Sequence, residues 1–236
     1  MSGQKKTITP LSAGGKDMAF KLGKDIKAAL QRDPAARNAV EVFLCYPGVH
    51  AIMWHRVAHA LYKIKLKFIA RLISQATRFF TGIEIHPGAV IGEGFFIDHG
   101  MGIVIGETCE IGDNVTLYQD VTLGGTGKDA GKRHPTIGND VLIGAGAKVL
   151  GPFRVGDGAK VGAGAIVLAE VPNNCTIVGN PGRVVRCYGA QRACLPEEEM
   201  DQIHLPDPLE SELKIMRQQL LDMEKQIVAL RKEREK

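Results

Sequence analysis

A six-residue repeat fills the middle of this chain and constrains its fold more than any other feature. Between about residues 85 and 182 an aliphatic residue, usually followed by Gly, returns every six positions. The repeat is seen in Ile105-Gly106, Ile111-Gly112, Ile137-Gly138, Val155-Gly156 and Val161-Gly162. This period fits neither an α-helix nor an ordinary strand, and it is typical of a parallel β-helix in which each hexad forms one short strand and one corner. We therefore predict a solenoid whose aliphatic side chains stack inside it.

Helical patterns precede the repeat. Apolar residues at helical spacing fill residues 16–82, which predicts an α-helical cap and an α+β fold class for the chain. Within the cap we expect Asp33 to be a helix N-cap, with Pro34 at the first helical position. We expect Tyr46-Pro47-Gly48 to form a turn.

Different patterns flank these two parts. Residues 1–15 are expected to form a mobile tail, and residues 189–206 a polar linker after the β-helix of residues 83–188. Apolar residues over 207–236 then alternate spacings of four and three, which predicts an amphipathic helix, either in a coiled coil with other copies or packed on its own domain. They are Leu209, Leu213, Met216, Leu220, Met223, Ile227 and Leu230.

Composition excludes several classes of function. The formal net charge is only +4, with acidic and basic residues interspersed, so no basic face indicates nucleic acid. No run of about 18 apolar residues predicts a membrane span, and we expect Lys67, Arg71 and Arg78 to lie on a solvated helix face. The five cysteines show no CxxC pair, which indicates a reduced, cytoplasmic protein without a disulfide framework or a structural zinc.

The period is interrupted twice, and both interruptions carry polar side chains. The spacing is too long at residues 98–102, where we expect a bulge, and at residues 124–135, where a loop must leave the solenoid. Loops of a repeat protein often form its binding site. The polar residues in and beside these interruptions are Glu84, His86, Asp98, His99, Arg133 and His134.

A histidine beside a carboxylate is suited to acid–base chemistry near neutral pH. Asp98 and His99 could equally be a corner pair bonded to the backbone, and the residues alone leave both readings open. A metal site is disfavoured, because no second histidine follows a few residues after His99 or His134 and no cysteine lies at ligand spacing. Cys109 lies within a regular hexad, where we expect a buried thiol rather than a nucleophile.

Several stretches together resemble the serine O-acetyltransferases, which begin cysteine biosynthesis in bacteria and plants. They are Asp33-Pro34-Ala35, Tyr46 to Ala51, Asp98-His99, Gly102 to Glu107, Val121 to Lys128, Arg133-His134-Pro135, Ile143 to Lys148 and Gly179-Asn180-Pro181. The resemblance implies a three-sided, left-handed β-helix, assembled as a homotrimer or as a pair of trimers. It also implies direct acetyl transfer from acetyl-CoA to L-serine, with no metal and no permanently bound cofactor.

The resemblance also implies a role for each polar residue. His99 would be the general base for the serine hydroxyl and Glu84 its carboxylate partner. Asp33 and Asp98 would hold the serine ammonium, and L-cysteine, which shares that amino-acid portion, would act as a feedback inhibitor. Arg133 and His134 would hold the serine carboxylate. Acetyl-CoA would bind between neighbouring prisms, near the positions Gly125, Thr126, Ala145, Lys160 and Ala163.

Other functional hypotheses compete with serine acetylation. The family's complex with the sulfhydrylase that acts after it is not expected, because the chain ends in Arg234-Glu235-Lys236 instead of Ile. Another acetyltransferase of sugar or xenobiotic hydroxyls, a scaffold without activity and a metal-dependent anhydrase are the alternatives. Asp33, Asp98 and Arg133 would bind both charges of a zwitterion, which favours serine over a sugar as the substrate.

Overall fold

The computed structural model describes residues 15–127, 130–188, 213 and 216–226. Four helices precede the repeat: α1 (Gly15–Arg32), α2 (Ala39–Cys45), α3 (Pro47–Lys63) and α4 (Lys67–Thr81). Short strands come next: β1 (Glu84–Ile85), β2 (Val90–Ile91), β3 (Phe96–Ile97), β4 (Val104–Ile105), β5 (Glu110–Ile111), β6 (Thr116–Leu117), β7 (Thr122–Gly124), β8 (Thr136–Ile137), β9 (Leu142–Ile143), β10 (Lys148–Leu150), β11 (Arg154–Val155), β12 (Lys160–Val161), β13 (Ile166–Val167), β14 (Cys175–Val178) and β15 (Arg183–Cys187).

The strands form a three-sided prism, which confirms the predicted parallel β-helix. The first face contains β1, β4, β7, β10 and β13, and the second contains β2, β5, β8 and β11. The third contains β3, β6, β9, β12 and β14, with β15 added antiparallel at its end. Each turn of the solenoid thus visits the three faces in order, and residues at equivalent positions of successive turns lie along one edge.

Aliphatic stacking fills the prism. On the third face, Ile97 pairs in register with Leu117, Leu117 with Ile143, and Ile143 with Val161. All four side chains are buried. Because their backbone N–H and C=O groups are paired between turns, the interior stays apolar without leaving polar groups unsatisfied.

The cap corrects two local predictions. Asn38, and not Asp33, caps α2, with its side chain accepting a hydrogen bond from the backbone N–H of Glu41 at 2.9 Å. Asp33 instead closes a turn, accepting from the backbone N–H of Ala35 at 2.7 Å. Pro47 is the first residue of α3 and not part of a turn, since a missing N–H costs nothing there.

Helix α3 runs along the prism and is about 25 Å long, at 1.5 Å per residue. Near its start, Gly48 lies so close to β3 that a Cβ atom would be 2.5 Å from the carbonyl oxygen of Ile97. Near its end, Nδ1 of His59 bonds the carbonyl of Pro87 at 2.8 Å. The helix therefore contacts two different edges of the prism.

A disulfide joins Cys175 and Cys187, so the prediction of a chain without disulfides is wrong for this structure. The antiparallel pairing of β14 and β15 places the two residues opposite each other. The strand β15 lies outside the six-residue period, so the sequence pattern does not indicate this pairing. Cys45 and Cys109 are free thiols, and Cys194 lies outside the described residues.

Only part of the heptad segment is described. Residues 216–226 are helical, as predicted, and Met216, Leu220 and Met223 are exposed in the single chain. The predicted tail, apart from its last residue, the linker and the rest of the heptads lie outside the described residues. None of the described helices combines the length and hydropathy needed to cross a membrane.

A buried carboxylate ties the cap to the prism. The carboxylate of Asp25 in α1 forms an ion pair with the guanidinium of Arg56 in α3 at 2.5 Å. It also accepts a hydrogen bond from the backbone N–H of Phe95 at 3.1 Å. Burial raises the pKa of Asp25, while the Arg56 charge opposes that rise.

Replacing Asp25 should therefore be costly. Asp25→Ala leaves the buried charge of Arg56 without its carboxylate partner, and we expect a loss of about 3–5 kcal/mol in the free energy of unfolding, measured by urea denaturation. The control is Arg154→Ala, which removes the exposed ion pair with Asp157 and should cost about 0–1 kcal/mol. Equal losses in the two variants would contradict the structural role given to Asp25.

Candidate active site

The predicted site residues lie on two edges of the prism. Asp98 and His99 come after β3 and before β4, so they lie where the third face meets the first; we call this the His99 edge. Arg133 and His134 lie between β7 and β8, where the first face meets the second; we call this the Arg133 edge. The structure thus does not bring the two groups together within one chain.

His99 is presented to solvent by a bend in the backbone. Its φ is +56°, in the left-handed region, and its side chain is 72% exposed. Nε2 lies 4.0 Å from Oδ1 of Asp98, which is long for a hydrogen bond. The bulge predicted at residues 98–102 therefore exists, and it leaves the imidazole open to a ligand.

The cap brings a second carboxylate and a tyrosine to this edge. The hydroxyl of Tyr46 donates a hydrogen bond to Oδ2 of Asp33, and that bond raises the pKa of Tyr46 to about 12. Burial raises the pKa of Asp98, the neighbouring Asp33 raises it further, and His99 opposes the rise. Two neighbouring carboxylates are suited to binding a cation such as an ammonium group.

Glu84 is held by the cap and not by His99. Its carboxylate lies 3.4 Å from Nη2 of Arg71 and 3.3 Å from Nη1 of Arg78, both on α4. The sequence predicted that the basic face of α4 is solvated. In the structure, Arg71 and Arg78 on that face also form ion pairs with Glu84. The pairing of Glu84 with His99 stays a prediction.

The Arg133 edge carries a network that the sequence pattern does not indicate. Nη2 of Arg133 lies 2.5 Å from Oε2 of Glu107, and the hydroxyl of Tyr62 in α3 donates to Oε1 of Glu107 at 2.8 Å. The hydrogen bond from Arg133 holds the pKa of Glu107 below its usual value, and the bond to Glu107 raises the pKa of Tyr62. Glu107 follows β4 and Arg133 precedes β8. Their contact could have been predicted only from the fact that both positions lie on the same edge of the prism.

His134 is packed against the prism. It is 8% exposed, and its ring lies over Gly106, where an added Cβ atom would overlap Cδ2 and Nε2 of the imidazole. Burial lowers the pKa of His134, and the charge of Arg133 lowers it further. Both effects favour the neutral ring.

Four of the five residues predicted to bind acetyl-CoA divide between the same two edges. Ala145 comes after β9 and Ala163 after β12, so both lie below His99 on its edge. Their turns stack directly, with the N–H of Gly164 donating to the carbonyl of Ala145 at 2.8 Å. Gly125 and Thr126 lie on the Arg133 edge, where the loop leaves β7. Lys160 starts β12 on the third face.

Two other chemistries find little support among the described side chains. Within residues 15–127 and 130–188 and the short C-terminal helix, no group of three His, Cys, Asp or Glu is arranged to hold a metal ion. Burial raises the pKa of the Cys109 thiol to about 12, so Cys109 is an inert core residue, as predicted.

A β-helix prism with an exposed histidine beside a bulge and a loop that leaves one face defines a hexapeptide-repeat transferase. The family model "Bacterial transferase hexapeptide (six repeats)" matches residues 134–169, and "Serine acetyltransferase, N-terminal" matches residues 5–53. The chain belongs to the serine acetyltransferase family, because a relative of that name from Bacillus subtilis is 58% identical over 206 residues, which cover 87% of this chain and 93% of the relative.

Solved structures agree with this assignment. A Neisseria gonorrhoeae serine acetyltransferase in complex with serine has a TM-score of 0.71 at 40% identity, over 73% of this chain and 70% of that one. A serine acetyltransferase in complex with cysteine has a TM-score of 0.77 at 39% identity, over 81% of this chain and 73% of that one. The family and the left-handed β-helix predicted from the sequence are confirmed.

The glycine under His134 offers a test of the site's packing. Gly106→Ala puts a methyl group into the imidazole, and we expect overpacking to cost about 1–3 kcal/mol and to lower the melting temperature. Gly131→Ala is the control, since no atom lies within 4 Å of its added Cβ. Thermal unfolding of both variants checks the result, and an unchanged midpoint in Gly106→Ala would mean that the ring lies elsewhere.

Proposed function

We propose that this protein transfers the acetyl group of acetyl-CoA to the hydroxyl of L-serine, giving O-acetyl-L-serine and CoA. The observation that carries the proposal is the charge pattern at the two edges. Asp33 and Asp98 form an anionic pair beside an open imidazole, and Arg133 supplies a cation on the other edge. Together they match the ammonium group and the carboxylate of one small zwitterion. A sugar substrate would not need these charged binding groups.

The proposed chemistry is a direct transfer in a ternary complex. His99 removes the proton from the serine hydroxyl as its oxygen attacks the thioester carbonyl, because a neutral hydroxyl is a poor nucleophile. The tetrahedral intermediate then collapses, the C–S bond breaks, and the CoA sulfur takes the proton from the imidazolium. Glu84 is proposed to orient His99, with Arg71 and Arg78 holding the carboxylate in place.

The proposal requires a closed ring of subunits, and we propose the homotrimer that the resemblance implies. A ring of identical subunits closes through contacts between two different patches of the subunit, so one edge of each prism meets another edge of its neighbour. Such a ring would place the His99 edge of one subunit against the Arg133 edge of the next and complete the site. Acetyl-CoA would lie in the same groove, with Ala145 and Ala163 on one wall and Gly125 and Thr126 on the other.

Regulation and location complete the proposal. L-cysteine shares the ammonium and the carboxylate of serine, so the same groups would bind it as an inhibitor. One similar solved structure is itself a complex with cysteine. We also propose a cytoplasmic location, where Cys175 and Cys187 would meet a reducing environment.

The role of His99 predicts a large loss of activity in His99→Ala. We expect turnover of acetyl-CoA with L-serine, measured as CoA release, to fall about 10²–10⁴-fold, the usual contribution of a general base. His50→Gln is the matched control, because the one hydrogen bond that the ring of His50 makes to the described residues is to the backbone carbonyl of Phe43. Added L-cysteine should suppress the wild-type reaction.

Two outcomes would overturn the proposal. Wild-type turnover with an amino sugar but not with serine would refute the substrate. No turnover with any acceptor would favour a scaffold.

The shared site predicts complementation between two inactive variants. When His99→Ala and Arg133→Ala chains with different tags are co-expressed, every trimer that contains both chains has both intact residues at one of its three interfaces. Hybrids purified through both tags should therefore regain a substantial part of the wild-type rate, measured by CoA release. Hybrids as inactive as the parents would place the whole site within one chain.

A further inference from the structure

Thr108 lies at the centre of the Arg133 edge, and its hydroxyl uses every hydrogen bond it can make. Its oxygen accepts from the backbone N–H of Arg133 and from that of His134, each at 3.1 Å. A threonine hydroxyl has two lone pairs and one proton. With both lone pairs occupied, only its proton is left for the third partner, Nδ1 of His134, at 2.8 Å.

The backbone of Thr108 leads to the same assignment independently. Its N–H points at Nδ1 of His134 at 3.2 Å, and an amide N–H can only donate. Nδ1 therefore accepts two hydrogen bonds and carries no proton. In the neutral ring the proton must then lie on Nε2.

Burial and hydrogen bonding favour the neutral form of the ring. A proton on Nδ1 would face two donors at once, and the guanidinium of Arg133 is next to it in the chain. Burial lowers the pKa of His134, the charges of Arg133 and Lys132 lower it further, and the carboxylate of Glu107 opposes them. No described residue accepts a hydrogen bond from Nε2, so its N–H is available to a ligand.

We propose that Thr108 is a positioning residue that fixes His134 as a neutral hydrogen-bond donor through Nε2. This inference rests on the proposed function for its ligand, which is the carboxylate of the amino-acid substrate. Arg133 supplies the charge, and His134 supplies a second donor whose direction does not depend on ring protonation. Thr108 also holds the backbone of Arg133 and His134, where the loop of residues 124–135 rejoins the prism. One side chain therefore fixes the positions of two binding groups.

The tautomer can be read without any activity. The imidazole ¹⁵N chemical shifts of the resting protein report which nitrogen is protonated, and His134→Asn identifies the signal among the seven histidines. We expect His134 in the wild type to be a single neutral tautomer with hydrogen on Nε2 at pH 7. A proton on Nδ1, or a charged ring at that pH, would overturn the proposal whether or not the enzyme acetylates serine.

Variants of Thr108 separate positioning from packing. Thr108→Ser keeps the hydroxyl and should retain near-wild-type kinetics and the same tautomer. Thr108→Val keeps the shape but removes the hydroxyl, and we expect the serine KM to rise about tenfold, a size typical of a lost hydrogen bond, with a smaller change in kcat. The His134 signal in Thr108→Val should also titrate at higher pH than in the wild type.

Each outcome of these variants decides something. Equal KM values in Thr108→Val and wild type would refute the positioning role. A serine variant as impaired as the valine variant would point to packing instead. If the wild-type protein does not acetylate serine, only the proposed function is refuted, because the ¹⁵N measurement of the tautomer does not depend on activity.

Discussion

The in-register stacking of one aliphatic residue per hexad is the constraint on which this molecule depends. The column that runs through Ile97, Leu117 and Ile143 fixes the register of each turn on the one below. Because each turn has three strands and three corners, residues one turn apart lie along the same edge. His86, Glu107 and His134 are far apart in the sequence, yet all three lie where the first face meets the second. The edges of the prism, and not contiguous segments, are therefore the units of function.

The cap completes both edges because α3 extends from one to the other. Close to its start, Tyr46 bonds Asp33 beside His99, and near its end Tyr62 bonds Glu107 beside Arg133. Gly48 makes this possible, since a side chain there would push the helix away from β3. A shift of α3 would consequently reach the carboxylates on both edges. The buried pair of Asp25 and Arg56 holds that helix to α1, so the position of the binding groups depends on a contact outside the site.

Periodicity made the prism predictable from the sequence, whereas the docking of the cap onto it was not predictable. The repeat located the prism, and its interruptions located His99 and Arg133 because a departure from a strict period must become a loop. The roles of Tyr46, Tyr62 and Thr108 depend on which edge each residue reaches, and no local pattern encodes that. Asp-Pro is a common helix start and predicts a cap at Asp33, yet Asn38 performs that task. The Cys175–Cys187 disulfide joins β14 to β15, and β15 lies outside the period, where the repeat carries no information.

The contact between Arg133 and Glu107 bears on how a carboxylate could bind. A guanidinium has five N–H donors, and Glu107 takes one of them through Nη2. The carbonyl of Gly131 accepts another from Nη1 at 3.5 Å. The donors that are left can still reach a ligand, so these contacts orient the planar group without neutralising its ability to bind. Leaving Arg133 unsupported would require each binding event to immobilise a long side chain, which has an entropic cost. Glu107, held in turn by Tyr62, has already fixed that side chain. The same logic applies to His134 and Thr108: on this edge the binding groups are fixed before the ligand arrives.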